Sequence, residues 1–583
     1  MKKILALVSL LFALTSCDFS NYILEQDYDF TTVYEKTGGK ETATYREVID
    51  YYKNLAAVYP RLDLQIMGET DSGEPLHLVI YSNNKDFDLE GMKGKRTILF
   101  INNGIHPGES DGIDATMMLF RDLAQDSIPV PENTVIATIP VYNIGGALNR
   151  NSFTRTNQNG PKSYGFRGNA RNFDLNRDFI KADTRNTRAF YEIFHQVNPD
   201  VFIDTHVSNG ADYQYTLTHL FTQHNKMGGE MGSYINEKMR PALEKSLQEK
   251  KWEITPYVNV FNDIPEKGFS QFLDNPRYST GYAALWNSFG MMIETHMLKP
   301  YDNRVRGTYE VLRSMIEITE KDADTIRKLR ARAFEQFPKQ KKYAFDFRID
   351  SSKVSNLQFK GYEADIEKSE VTGFDRLRYD TTRPFTKEIK YYNNFKPARQ
   401  VALPKGYIIP QGWWPVLELL ELNEVEMQKF EKDTMLVAEV YKIEDYKTRS
   451  SAYEGHYPHS GTKVKTVKQK VRIRKGDFFI PIEQRAAKYL METLEPEAPD
   501  SFFNWNFFDS VLQQKEGFSP YVFEDLAREI LDDDPELEDE FLEKKKTDRE
   551  FANNWYAQLE WIHKRSDHYE ISHLRYPVFR INR

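Results

Sequence analysis

One cysteine among 583 residues, Cys17, excludes an internal disulfide. Beyond its first residues the chain also lacks an apolar run long enough to cross a bilayer, so the body reads as soluble. No excess of positive charge is present: 78 Lys and Arg stand against 87 Asp and Glu, a net charge of -9. That balance argues against a general polyanion-binding role, makes nucleic acid an unexpected partner and leaves the substrate's charge open. No repeat or low-complexity tract marks the second half. What remains is an ordinary globular composition, 40% hydrophobic, 28% charged and 14% aromatic, in a chain long enough for two or three folding units with a large buried core.

The N-terminus reads as an export signal. Lys2 and Lys3 supply its positive region, and the apolar run 4–13 supplies a core too short for a membrane span. Leu14, Thr15, Ser16 and Cys17 follow directly and resemble the lipobox of bacterial lipoproteins, whose cysteine is lipidated at the new N-terminus after cleavage. The chain's lone thiol thus sits where acylation would use it. The expectation is an exported protein, lipid-anchored through Cys17, touching the membrane only by that anchor and facing the periplasm or cell surface.

Residues 18–41 show little periodicity and read as a tether. A helix is predicted over 45–55 from Val48, Tyr51, Tyr52 and Leu55, followed by strands at 62–67 and 76–81 around the turn Asp71, Ser72, Gly73. Nearly continuous apolar runs at 97–101, 135–142 and 201–203 suit strands buried on both faces, and helical patterns at 114–123 and 184–194 separate them. Alternating strands and helices predict an α/β fold with a central mixed, mainly parallel sheet flanked by helices. In such folds functional groups gather past strand ends. A charged helical stretch at 321–342 closes this catalytic domain near 340; a β-rich region is expected over 341–481 and a mixed, more helical and acidic region over 482–583.

The chemistry falls at strand ends. The run 98–101 leads into Asn102, Asn103, Gly104, Ile105, His106, Pro107, Gly108 and Glu109, so His106 and Glu109 leave one strand on one turn. Imidazole nitrogen and carboxylate oxygen form a good partial shell for zinc, and a catalytic site needs only one further protein ligand while leaving a position for water. A second strand ends at His206, the natural third ligand, and a third delivers Glu294, placed to act as general base. Between the first pair and His206 lie Asp174, Asn176 and Arg177, an arginine able to hold a carboxylate in two hydrogen bonds with an amide beside it.

Over roughly residues 40–325 these motifs resemble the zinc metallocarboxypeptidase family typified by pancreatic carboxypeptidase A. The resemblance implies one Zn2+ held by His106, Glu109 and His206, with Glu294 as the catalytic glutamate. It implies that Asn176 and Arg177 grip the substrate's terminal carboxylate and that Asp174 orients His106. Residues 155–160 resemble the stretch carrying the arginine that polarises the scissile carbonyl, which points to Arg155; Arg150 and Arg167 lie nearby. The family's mobile tyrosine has no counterpart in residues 268–274, which hold phenylalanines; Tyr278 and Tyr282 lie closer to Glu294 than that interval does. Tyr278 is carried forward as a substrate contact.

The function expected is removal of C-terminal residues from extracytoplasmic peptides ending in a free carboxylate. A zinc amidase or deacylase of the same fold, acting on cell-wall peptides or acyl amino acids, is the second reading. A surface binding lipoprotein with an inactive scaffold is the third, and an intact Glu294 argues against it. His296, His456 and His459 carry no expected metal role; residues 463–475 read as a strand with one solvated basic face, and 532–540 as an exposed helix.

Overall fold

The computed structural model describes residues 28–582, so the export signal, Cys17 and the start of the tether lie outside the described residues. The helix and hairpin expected at the start are present. The helix Tyr45–Val58 opens with a capping box in which Thr44 and Glu47 exchange side-chain-to-backbone hydrogen bonds. Strands β1 (Leu62–Glu69) and β2 (Pro75–Tyr81) then pair antiparallel.

The apolar runs that follow form β3 (Thr97–Asn102), β4 (Thr134–Ile139), β5 (Val201–Ser208), β6 (Leu217–Phe221), β7 (Ile254–Pro256) and, after the short β8 (Phe269–Ser270), β9 (Phe289–His296). All but β8 join one eight-stranded sheet in the order β1-β2-β4-β3-β5-β9-β6-β7. Its centre, β4-β3-β5-β9, is parallel, while β2 and β6 run antiparallel to their central neighbours. Every residue of β3, β4 and β5 is buried, which is why their sequences are continuous apolar runs rather than alternating ones. Helices Asp111–Ala124, Arg185–Val197 and Tyr301–Lys321 cover the sheet. This is the α/β fold with a large mixed sheet that the sequence predicts. At Gly112 a Cβ would lie 2.0 Å from Thr205 Oγ1, so only glycine lets the helix Asp111–Ala124 begin against β5.

The chain divides into two compact units. Of the described residues, one holds those up to Glu335 together with Arg348–Lys396; the other holds Gln336–Phe347 and those from Pro397 to 582. Strand β10 (Lys342–Ile349) carries the chain back into the first unit. There β11 (Ser355–Lys368) and β12 (Asp375–Tyr392) form a long hairpin. Its Phe359, Ile389 and Tyr391 bury with Tyr213, Tyr215 and Phe269, and β12 pairs with β8, so this first β-rich segment is part of the unit that carries the strand-end motifs.

After β13 (Phe395–Ala402), the second unit builds a six-stranded sheet from β14 (Gly406–Ile409), β15 (Gln428–Lys429), β16 (Thr434–Thr448), β17 (His459–Ile473), β18 (Phe478–Pro481) and β19 (Phe579–Ile581). Its core is Ile408, Ala438, Val440, Val471, Ile473 and Phe579. The basic run 463–475 falls largely on β17, an edge strand with alternating exposure, where lysines discourage further strand pairing. The acidic run 532–540 spans the break between helices Pro520–Asp533 and Pro535–Thr547 and is mostly exposed. Among the described residues no helix is long and apolar enough to cross a membrane.

Candidate metal centre and active site

Three neighbouring strands deliver the predicted residues to one place. β3 ends at Asn102, and the turn that follows presents His106 and Glu109 just before the helix Asp111–Ala124. β5 carries His206 and β9 carries Glu294, and the two residues are directly paired in the parallel register. Asn102 and Asp204 are likewise paired between β3 and β5, and the Asn102 amide donates to Asp204 Oδ1 at 3.0 Å, tying the two ligand-bearing strand ends together.

His106, Glu109 and His206 are all buried, and one potential ligand atom from each lies within 4.8 Å of the others. This is the only such group of three among the described residues. The two imidazoles are oriented alike. His106 Nε2 meets Asp174 Oδ1 at 2.9 Å, and His206 Nε2 meets Asp204 Oδ2 at 2.9 Å. Both rings therefore turn Nδ1 toward Glu109: His106 Nδ1 lies 3.3 Å from Oε1, and His206 Nδ1 lies 3.1 Å from Oε2. His106 Nδ1 is buried without a hydrogen-bond partner of good geometry, an orphan atom that a cation would satisfy. Two imidazole nitrogens and a carboxylate, each ring backed by a carboxylate, make a donor set suited to a catalytic divalent metal with an open position.

The charges are strongly coupled. Burial raises the Glu109 carboxyl, but His106 and Arg155 outweigh it and hold the group well below the usual carboxylate range. Asp174 behaves in the same way: burial works against ionisation, and His106, Arg167 and Arg177 overcome it. Glu294 goes the other way. Burial, joined by the nearby negative charges of Glu109 and Asp204, pushes its carboxyl up to about 8 against the pull of His206. A carboxylate displaced in this direction at the mouth of a metal-competent cluster has the proton affinity a general base needs near neutral pH.

A cavity of about 580 Å³ opens over the cluster and is lined by His106, Glu109, His206, Glu294, Arg155, Arg167, Asn176, Arg177 and Tyr278, among others. Arg177 stacks its guanidinium over the Tyr278 ring at 4.6 Å, and Phe272 meets the same ring edge-on at 5.2 Å. Asn176 Oδ1 accepts from the Ser279 backbone N–H at 3.1 Å, which leaves the amide NH2 to face the cavity. Tyr282, by contrast, is fully buried against Tyr191 and Phe194 and is part of the core.

The three arginines separate by what they touch. Arg150 donates to Ser163 and to the Thr42 and Ala43 carbonyls, away from the cavity. Arg155 reaches the cavity but is engaged by Gln158, by Glu109 Oε1 at 2.9 Å and by the Val207 carbonyl. Arg167 is bonded to Asp174 at 2.9 Å and lies 3.5 Å from Glu109 Oε1, a longer contact than that of Arg155, while its side chain remains 45% exposed against 15% for Arg155.

Four residues of the site are not singled out by sequence reasoning. Asp204 orients His206, and its position two residues earlier in a strand, on the same face, is a signal that alternation alone could have supplied. Ser279 donates to Asp204 from the first turn of helix Ser279–Leu285. Tyr257, in the loop after the edge strand β7, lines the cavity, and burial with Glu294 nearby raises its hydroxyl well above the usual tyrosine value. Leu220, which also lines the cavity, is the cross-strand partner of Met292.

His296 bonds Asp212 at 3.1 Å and stacks on Tyr213. His456 packs on Trp505 and Phe507, and His459 bonds Thr448 and Asp509. None of the three belongs to a metal-competent group.

The site is thus that of a metal-dependent hydrolase in its donor set and base. No protein-family model matches the chain. It is similar to carboxypeptidase 2 of Trichophyton rubrum, 20% identical over 446 residues that cover 73% of this chain and 76% of the relative. It is also similar to carboxypeptidase 2 of Trichophyton tonsurans, 21% identical over 447 residues with the same coverage of 73% and 76%. Among solved structures, carboxypeptidase A from Helicoverpa armigera aligns with a TM-score of 0.37 at 14% identity, covering 48% of this chain and 74% of that one. A metallo-carboxypeptidase from Burkholderia cenocepacia aligns with a TM-score of 0.36 at 14% identity, covering 48% and 70%.

Proposed function

We propose that the chain is a zinc metallocarboxypeptidase that removes C-terminal residues from peptides outside the cytoplasm. The observation that carries this reading is the convergence, in one cavity, of a His106–Glu109–His206 donor set, the proton-hungry Glu294 and the Asn176–Arg177 pair. The likeness to the two Trichophyton carboxypeptidases supports it. Nitrogen and carboxylate donors in a set of three favour Zn2+ over the harder, all-oxygen metals.

A zinc ion bound there would supply Lewis acidity and lower the pKa of a water molecule. The protein's own groups do the rest. Arg177 and Asn176 hold the substrate's terminal carboxylate through charge-assisted hydrogen bonds. Glu294 takes a proton from the attacking water as the new C–O bond forms at the scissile carbonyl carbon, then delivers it to the leaving amine nitrogen as the C–N bond breaks. Arg167, whose guanidinium is the more exposed to the cavity, donates to the carbonyl oxygen as negative charge builds on it. Arg155 braces Glu109.

Apolar side chains contribute to the cavity lining. Met292 lies two residues before Glu294 on the same face of β9, next to Leu220, and Tyr257, Phe272 and Tyr278 line the same cavity. A large apolar C-terminal side chain fits this lining. The export signal and Cys17 support, from sequence alone, a lipid-anchored location facing the periplasm or cell surface. Fatty-acid labelling that is lost in Cys17→Ser tests the anchor. Release of C-terminal residues from a mixed peptide library, compared with release from muropeptides and acyl amino acids, tests the substrate class.

A further inference from the structure

The side chain of Arg304 is completely buried and makes a charged contact that none of the groups facing the cavity needs for its own chemistry. It lies in the helix Tyr301–Lys321. Its Nε donates to Asp111 Oδ2 at 2.9 Å and its Nη2 to Asp111 Oδ1 at 3.3 Å, a two-pronged pairing. The remaining donors go to backbone: Nη1 to the carbonyls of Asn159, Met297 and Lys299, and Nη2 to that of Gly160. Asp111 in turn accepts from Thr295 Oγ1.

The segments joined in this way are the ones the site depends on. Asp111 lies two residues past Glu109, in the first turn of the helix that follows the first ligand pair. Thr295 is the neighbour of Glu294 on β9. Asn159 and Gly160 close the loop that bears Arg155 and Gln158, and Gln158 reaches back to the Gly108 carbonyl at 2.9 Å. One guanidinium therefore fixes the distances among a ligand, the base and the loop arginine without touching the cavity itself.

Resting on the metallopeptidase reading, we propose that Arg304, through Asp111 and Thr295, is a positioning residue that sets Glu109 against Glu294. Buried charge pairs contribute little net stability compared with apolar replacements, so a fully satisfied one at this place serves geometry more than folding energy. Lysine keeps the charge but cannot make the fork or reach four carbonyls at once. Thr295→Val removes the hydroxyl link from Asp111 to β9, and with it the long 3.5 Å contact of that hydroxyl with the His206 carbonyl, while keeping the shape and leaving the Arg304–Asp111 pair intact.

The test uses the full chain with three readouts: Zn2+ affinity of the metal-stripped protein against a chromophoric chelator, kcat and KM for C-terminal residue release, and melting temperature. Arg304→Lys is expected to weaken Zn2+ binding about tenfold and lower kcat about 10- to 100-fold, with KM changed by less than about threefold. Thr295→Val is expected to shift affinity and kcat in the same direction by less. If both variants keep affinity and kcat within about twofold of wild type while only the melting temperature falls, Arg304 is a structural residue and the proposal is wrong. Should Arg304→Lys fail to fold, Thr295→Val decides. Should the wild type bind Zn2+ yet release nothing, the peptidase reading fails while the affinity comparison still judges the positioning role.

Discussion

Asp204 Oδ2 lies 2.9 Å from His206 Nε2, and the same carboxylate is held by Ser279 and, through Oδ1, by Asn102. This anchoring fixes which imidazole nitrogen faces the ligand cluster. Asp204→Asn keeps the shape but loses the charge that supports His206, and metal affinity is expected to fall about 10- to 100-fold. Ser279→Ala, which leaves the carboxylate in place, is expected to cost much less. Competition for Zn2+ against a chelator measures both.

Arg177 and Asn176 face the cavity beside Tyr278, so substrates with a free C-terminus should depend on them and blocked ones should be turned over more slowly. Arg177→Lys is expected to lower kcat/KM by about 10- to 100-fold, the loss of a charge-assisted hydrogen-bond pair. Amidating the C-terminus of the same peptide should produce a comparable drop in wild type and little further drop in the variant. With the apolar lining of Leu220, Met292 and Phe272, peptides ending in Phe or Leu should outrun those ending in Lys or Asp.

Arg155 and Arg167 should separate kinetically. Arg167→Ala is expected to lower kcat about 100-fold with metal retained, as for removal of an oxyanion donor. Arg155→Ala is expected to weaken the metal site through Glu109. Measuring kcat and metal content on each variant distinguishes the two roles, and the reverse pattern would return the carbonyl contact to Arg155.

Asp114, buried beneath the site and bonded to Tyr301, has its carboxyl raised by burial to about 6 from an ordinary value of 3.8. A carboxyl raised in the fold contributes stability that is complete below about pH 4 and is lost as pH rises through about 6. The loss amounts to about 3 kcal/mol. Asp114→Asn should therefore gain on wild type between about pH 4 and 6 and keep that gain unchanged above pH 7. Denaturant titrations at pH 4, 5, 6 and 8 measure the difference; a stability difference between variant and wild type that is the same at pH 4 and pH 8 would contradict it.

The centre of the fold is legible because β3, β4 and β5 are buried on both faces and so must be uninterrupted apolar runs. His106, Glu109, His206 and Glu294 are legible because each follows or ends such a run. What escapes is whatever depends on tertiary closure. Tyr257 and Leu220 come from the edge of the sheet and enter the cavity only once β6 and β9 pair. Arg304 and Asp111 are 193 residues apart, and nothing local announces their pairing. The hairpin β11–β12 falls in the region read as β-rich, but its place in the first unit is decided by Phe359 and Tyr391 burying with Tyr213 and Phe269.

The proposed chemistry depends above all on Glu294 beside the His106–Glu109–His206 set. The decisive measurement is metal content together with C-terminal residue release, for wild type and Glu294→Gln side by side. About one zinc per chain is expected in both proteins, with release by Glu294→Gln slower than by wild type by about 100-fold or more. A wild type that holds no metal, or a Glu294→Gln protein that trims peptides as fast as wild type, would contradict it.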